Sequence, residues 1–251
     1  MRSSDVIGTR VLAGSLHDVV DELERRILEV ERGYVCFANA HLTSTARGDR
    51  ETARALGEAG MVLADGAPVA WALRFLTGEA TERIAGSDVF AELCDRSQRR
   101  GYRHFFLGST EETLARVRRN AAERYPDLQV CGSLSPPFGS ALFDQLPLIT
   151  AQINEAQPDV VWVGLGAPRQ EQWMRAARPL IEAPLLLGVG AVFDFVAGNK
   201  RRAPSWMQRA GLEWAHRLAH EPRRLARRYV VTNTAFSLAL VRQLMGGTGG
   251  R

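Results

Sequence analysis

Cysteine is scarce in this chain. Its three thiols, Cys36, Cys94 and Cys131, lie far apart and form no C-x-x-C pair. That argues against a disulfide framework or a zinc-ligand set and points to a reducing, cytoplasmic setting. No apolar run reaches the ~18 residues that a membrane span requires. The nearest approach, 229–245, is interrupted by Asn233 and Arg242. The first ten residues carry no apolar h-region, so no secretory signal is expected. Also missing are a P-loop, a G-x-S-x-G elbow and an RNP-like aromatic strand. These absences remove Walker-type nucleotide hydrolysis, serine-hydrolase chemistry and RRM-type RNA binding from consideration. His216 and His220 are four apart but lack the intervening glutamate of H-E-x-x-H, so they are not read as metal ligands.

What remains is a chain of globular composition. Its 251 residues are 45% hydrophobic and 24% charged, enough for one large domain or two small ones with a sizeable core. The net charge of +4 is unevenly spread. Residues 200–251 hold eleven Lys/Arg against two acids, Glu213 and Glu221, a net +9 that leaves −5 for the rest. A mildly acidic body with a basic tail suggests an anionic partner: phosphate, nucleic acid or a membrane surface. The chain therefore divides into a core over 1–199 and a basic appendage over 200–251.

Hydrophobic patterning assigns the core. Residues 34–38, 61–64, 104–107, 159–163 and 184–189 read as short strands buried on both faces. Amphipathic stretches at 15–32, 42–58, 68–76, 87–100, 110–125 and 141–156 read as helices between them. The alternation predicts an α/β fold, a Rossmann-like and mainly parallel sheet. From Pro204 the pattern turns helical and basic, over 204–220 and then 222–245.

Several polar groups fall at strand ends, where open α/β sheets bind ligands. Asp65 and Gly66 follow the second of these strands, and Asp65 suits a general base, a sugar-hydroxyl acceptor or a helix cap. Asn39 ends the first strand and suits a ligand contact or an N-cap equally. In the loop 82–88, Arg83 could clamp a phosphate and Gly86 admits a ligand to the backbone, while Ser87 or Asp88 would cap the next helix. Gly164 and Gly166, and likewise Gly188 and Gly190, form partial G-x-G turns that suit a nucleotide diphosphate as well as a dinucleotide. Asp194 lies between Phe193 and Phe195, rings that could hold a base or sugar, just before the triplet Lys200-Arg201-Arg202. Arg217, Arg224 and Arg227 form a dense cationic group, with two acids in the tail to pair them.

Taken in order, these segments resemble one family. FANAHL (37–42), ADGAPVAWALRFL (64–76), ERIAGSD (82–88), FFLGS (105–109), VGLGAPRQEQWM (163–174), GVGAVFDFVAG (188–198) and the run 203–230 are similar to the WecG/TagA/CpsF glycosyltransferases. The resemblance implies a Rossmann-like core whose C-terminal appendage completes the active site at the membrane. It implies inverting, metal-independent transfer from a UDP-sugar to a polyprenyl-diphosphate-linked sugar, with N-acetylmannosamine as the donor sugar of the best-known members. No cofactor is expected, which suits the lack of a D-x-D metal motif. By position, Asp65 is the expected general base and Asn39 orients the acceptor. Arg83, Gly86, Asp88, Gly164, Gly166, Gln170, Gly190 and Asp194 are expected on the donor side. Arg217, Arg224 and Arg227 are expected to meet the lipid diphosphate or the leaving UDP. Phe37 departs from the family, which often has Thr there, and this bears on the acceptor.

The expected setting is peripheral, on the inner face of the cell membrane, with homo-oligomers left open and no nucleic-acid partner. Trp206, Trp214, Tyr229, Val230, Phe236 and Leu240 face lipid, a partner subunit or the core on this reading. The competing readings are another UDP-hexose donor in the same family, a non-catalytic nucleotide-sugar binder, a nucleic-acid module built on the tail, and an NAD-dependent oxidoreductase. The missing third glycines weigh against the last, and the lack of stacking aromatics weighs against the nucleic-acid module.

Overall fold

The computed structural model describes residues 1–220 and 222–246, with the backbone alone for Ser205, Arg209, Arg217, His220 and 222–228. The chain opens with a hairpin, β1 (Ser3–Val6) and β2 (Thr9–Leu12), then α1 (Leu16–Leu28) and β3 (Gly33–Ala38). There follow α2 (Ala40–Gly48), α3 (Arg50–Gly57), β4 (Met61–Ala64), α4 (Ala67–Thr77) and α5 (Gly86–Arg100). Next come β5 (Arg103–Gly108), α6 (Glu111–Arg124), β6 (Gln129–Leu134), α7 (Ala141–Asp144) and α8 (Leu146–Glu155). The core closes with β7 (Val160–Gly164), α9 (Arg169–Ala177), β8 (Leu185–Gly188) and α10 (Val192–Val196). The appendage is α11 (Ser205–Arg209), α12 (Glu213–His220) and α13 (Pro222–Gly246).

One eight-stranded sheet runs β1-β2-β4-β3-β8-β7-β5-β6, parallel throughout except for the β1–β2 pair. All five expected strands are present, in the α/β arrangement expected. Alternate residues of each strand enter opposite cores, as the strand period requires. Cys36, Ala38, Val62, Ala64, Leu107, Val163 and Leu186 belong to one layer, with residues of α2, α4, α8 and α9. Phe37, Met61, Leu63, Phe106, Trp162 and Leu187 belong to the other, with α1, α5, α6 and α10. Trp162, Trp173 and Phe106 are wholly buried, and such side chains stabilise by about 1.5–3 kcal/mol each.

Three strands escape the hydrophobic reading. The hairpin strands read SSDV and TRVL, and β6 reads QVCGSL. β1 and β6 are the sheet edges and β2 lies beside one; their side chains are less buried than those of the central strands, so an unbroken apolar run is not needed. Three expected helices are split. Asp49 ends α2 and caps α3, its carboxylate accepting from the N–H of Glu51 and Thr52. Pro147 stands in the first turn of α8, a place where proline begins a helix rather than continuing one. Gly211, with φ +71°, separates α11 from α12. Residues 192–196, past the last expected strand, form the short helix α10.

The appendage does not stand off the core. Phe236 and Ala239 of α13 are buried in the α2–α4 layer, with Leu240 packed against it. The Ser44 hydroxyl donates to the Thr232 carbonyl, and Gln243 Oε1 accepts from the Ile7 N–H at 2.7 Å. Val230 and Val231, by contrast, are exposed. No helix among the described residues is long and apolar enough to cross a membrane.

The ends of β5 and β7 approach closely. Gly108 has φ +125°, and a Cβ there would lie 2.5 Å from the Gly164 carbonyl oxygen. Both strain and overlap would follow from a side chain. Gly108→Ala is therefore expected to lower unfolding stability by about 2–4 kcal/mol. Urea denaturation checks this; a loss under about 0.5 kcal/mol would mean that the strand ends relax freely.

Candidate active site

The site lies where β3, β4, β7 and β8 end. After β3 the chain enters α2 on one face, and after β8 it enters α10 on the other. Diverging connections leave the strand ends between them open, the geometry of a ligand crevice in doubly wound sheets.

Asn39 is the N-cap of α2: its Oδ1 accepts from the Leu42 N–H at 3.1 Å. Asp65 sits one strand over, its N–H donating to the Ala38 carbonyl at 2.8 Å. Gly66 follows with φ +121°, a conformation that disfavours any side chain, and passes close to Asn39. Asn39 and Asp65 are thus side by side. The Ile84 N–H donates to the Ala64 carbonyl at 2.8 Å, which draws the loop before α5 alongside.

That loop delivers Arg83. Its Nη1 lies 3.6 Å from Asp65 Oδ1 and 3.2 Å from Glu213 Oε2, and its Nη2 lies 3.5 Å from Asp88 Oδ2. Arg202 holds Asp88 with two bonds of 2.6 and 2.9 Å and reaches Glu213 at 3.7 Å. Among the described residues, two guanidiniums and three carboxylates therefore form one half-buried cluster. Neither Ser87 nor Asp88 caps α5, as either was expected to: the N-cap is Ala85, without a side-chain bond. Asp88 is taken by the arginines instead.

A second group joins the loops after β7 and β8. Gln170 is buried, and its Oε1 accepts from the Gly166 N–H at 3.2 Å. Its Nε2 donates to the Gly188 carbonyl at 2.7 Å and to Glu171 Oε1 at 2.8 Å. The Gln170 amide therefore braces both glycine loops. Gly190 lies beside it, 3.6 Å from Gln170 Oε1 by the position of an added Cβ. A Cβ at Gly164 would lie 2.5 Å from the Phe193 ring, so Gly164 lets α10 pack onto the sheet. Gly86 packs against Val189, which links the two groups.

Other expected residues have partners of their own or lie among undescribed side chains. Asp194 pairs with Lys200 at 3.1 Å. Phe193 is buried edge-on to Phe106 at 5.8 Å, so its face is not open to a base or sugar, as was one expectation. Phe37 is packed into the α1–α5 layer; its ring is a core group. The side chains of Arg217, Arg224 and Arg227 lie outside the described residues. Sequence reasoning missed Glu213, Arg202 as an acid partner, and Glu171. Glu213 carried a signal, being one of two acids in the basic tail.

Glu171 is wholly buried, and desolvation pushes its carboxyl up to about 7 from an ordinary 4.5. Folding therefore raises its proton affinity. Its contribution to stability is complete below about pH 4.5 and is lost as pH rises through about 7, some 3 kcal/mol in all. Glu171→Gln is expected to melt higher than the parent at pH 8 and nearly with it at pH 4.5. Thermal melts at both pH values decide; an equal shift at each would rule this out.

The model of the family described as "Glycosyl transferase WecG/TagA/CpsF family" matches residues 4–249. A Bacillus subtilis (strain 168) protein named N-acetylglucosaminyldiphosphoundecaprenol N-acetyl-beta-D-mannosaminyltransferase is 29% identical over 239 residues, covering 95% of this chain and 91% of its own. A Bacillus spizizenii protein of the same name is 29% identical over 213 residues, covering 84% and 81%. With a match of this extent, the chain belongs to the WecG/TagA/CpsF family of glycosyltransferases.

Proposed function

We propose that the chain is an inverting, metal-independent glycosyltransferase. It moves N-acetylmannosamine from a UDP-sugar to a polyprenyl-diphosphate-linked N-acetylglucosamine, in cell-envelope polysaccharide or teichoic-acid-type biosynthesis. The observation that carries the reading is Asp65, at a strand end beside Asn39 and Arg83, in a chain matched by the family from 4 to 249. The names of the two relatives support the sugar and the acceptor.

In this mechanism Asp65 accepts the proton of the attacking hydroxyl as that oxygen bonds to the anomeric carbon. The bond from that carbon to the diphosphate breaks on the opposite face, and UDP leaves with the electron pair. Asn39 orients the acceptor sugar. The glycine loops at Gly164, Gly166 and Gly190, which Gln170 braces, let the donor diphosphate approach the backbone. Arg83, Gly86, Asp88 and Asp194 complete the donor side. Arg217, Arg224 and Arg227 balance the charge of the departing diphosphate, a task that guanidinium groups perform without a metal.

The test is UDP release with a short-chain prenyl-diphospho-N-acetylglucosamine acceptor, EDTA and a panel of UDP-sugars. Release that depends on acceptor, persists in EDTA and is greatest with UDP-N-acetylmannosamine is the expected result. Asp65→Asn is expected to lower kcat by roughly 10²–10⁴-fold. Full activity in that variant would remove Asp65 from the role of base.

The appendage is proposed to bind the inner membrane face. Trp206 is 59% and Trp214 45% exposed, and on the neighbouring α4 Trp71 and Phe75 are also exposed. An added Cβ on Gly211 would lie 3.3 Å from the Trp71 ring, so α4 and the appendage present these side chains in one region. Indole rings partition to the interface while basic residues meet anionic headgroups. Trp206→Ser with Trp214→Ser is expected to weaken cosedimentation with phosphatidylglycerol vesicles on the order of tenfold. Unchanged binding would place the membrane contact elsewhere.

A further inference from the structure

Glu213 has no assigned part in the reaction, yet the appendage carries it into the cluster around the base. Its Oε2 lies 3.2 Å from Arg83 Nη1, the same nitrogen that lies 3.6 Å from Asp65 Oδ1. Its Oε1 lies 3.7 Å from Arg202 Nε. Glu213 and Arg83 side chains are 18% and 17% exposed, so water screens this contest only in part. A guanidinium bound to a carboxylate lowers its proton affinity, and a like charge nearby raises it. Glu213 acts on Asp65 in both ways: it holds Arg83 off the base and places a second negative charge beside it.

We propose that Glu213 is a positioning residue for the transfer, which shares Arg83 with Asp65 and so keeps Asp65 a competent base. The proposal rests on the reading of Asp65 as that base. Among the described residues, the charged groups gathered around Asp65 include Arg83 from the loop before α5, Asp88 from α5, Arg202 from the segment before α11, and Glu213 from α12. The β3–α2 junction contributes the uncharged Asn39. With Glu213 neutral, the positive charges of Arg83 and Arg202 fall more fully on Asp65 and Asp88. A carboxylate paired more closely gives up less of its charge to an incoming proton, and transfer slows. The arrangement also makes the competence of the base depend on the docked appendage.

The experiment compares the full-length parent with Glu213→Gln and Glu213→Asp in the UDP-release assay across pH. Glu213→Gln is expected to lower kcat roughly tenfold, leave the donor KM within about threefold, and move the acidic limb of the kcat profile to lower pH. Glu213→Asp keeps the charge and is expected to restore the limb toward the parent. A merely structural role predicts something else: lower kcat and a lower melting temperature with the limb unmoved, and that outcome overturns the proposal. So does unchanged kcat in Glu213→Gln. If Asp65→Asn proves fully active, the base reading itself fails. If Asp65→Asn is dead while Glu213→Gln keeps the parental profile, only the role of Glu213 fails.

Discussion

Parallel pairing of β3 with β8 joins the two halves of the sheet. Gly33 through Cys36 lie against Leu185 through Gly188, residues some 150 apart in sequence. Only this seam brings the Asn39 and Asp65 side of the molecule beside the glycine loops that follow β7 and β8. The register matters because strand side chains alternate between faces. A one-residue slip would move Cys36 and Phe37 into each other's layers, and it would shift Asn39 relative to the loops. The closing of such distant strands costs chain entropy, offset here by two continuous hydrophobic layers.

At the crevice, polar groups are organised by one another. Gln170 meets three partners with a single buried amide and holds the β7 and β8 loops at a fixed spacing. Around Arg83 and Arg202, three carboxylates compete for two guanidiniums. A half-buried cluster of this kind is not strong evidence of stability, since desolvation offsets much of the attraction. Its value is in geometry: it draws the loop before α5, the segment before α11 and the start of α12 onto the end of β4. Glu171 is the costlier group, a carboxyl buried beside Gln170 and raised toward neutral pH by desolvation. It helps fix the amide that fixes the loops.

The strands that carry the site were legible because they are buried on both faces and read as unbroken apolar runs. The edge strands were not, because their side chains are less buried. Asn39 and Asp65 were legible as strand-end polar residues, and their adjacency follows from the pairing of β3 with β4. Helix breaks at Asp49 and Gly211 lie inside stretches, 42–58 and 204–220, that read as single helices.

The sequence by itself determined the fold class, the two-faced burial of the sheet, the polar strand ends and the basic bias of the tail. These depend on periodicity and local chemistry, which are properties of neighbouring residues. Tertiary structure alone decided which polar groups share a partner. Arg83 reads as a phosphate clamp in its own loop, and becomes the shared cation of Asp65, Asp88 and Glu213 only when three distant segments converge. Glu213 reads as a stray acid in a basic tail, and acquires a place at the site only when α12 packs over the end of β4. Coulombic contacts between exposed charges are screened beyond about 8–10 Å at ordinary ionic strength, so their pairing is set by distances that no stretch of sequence contains.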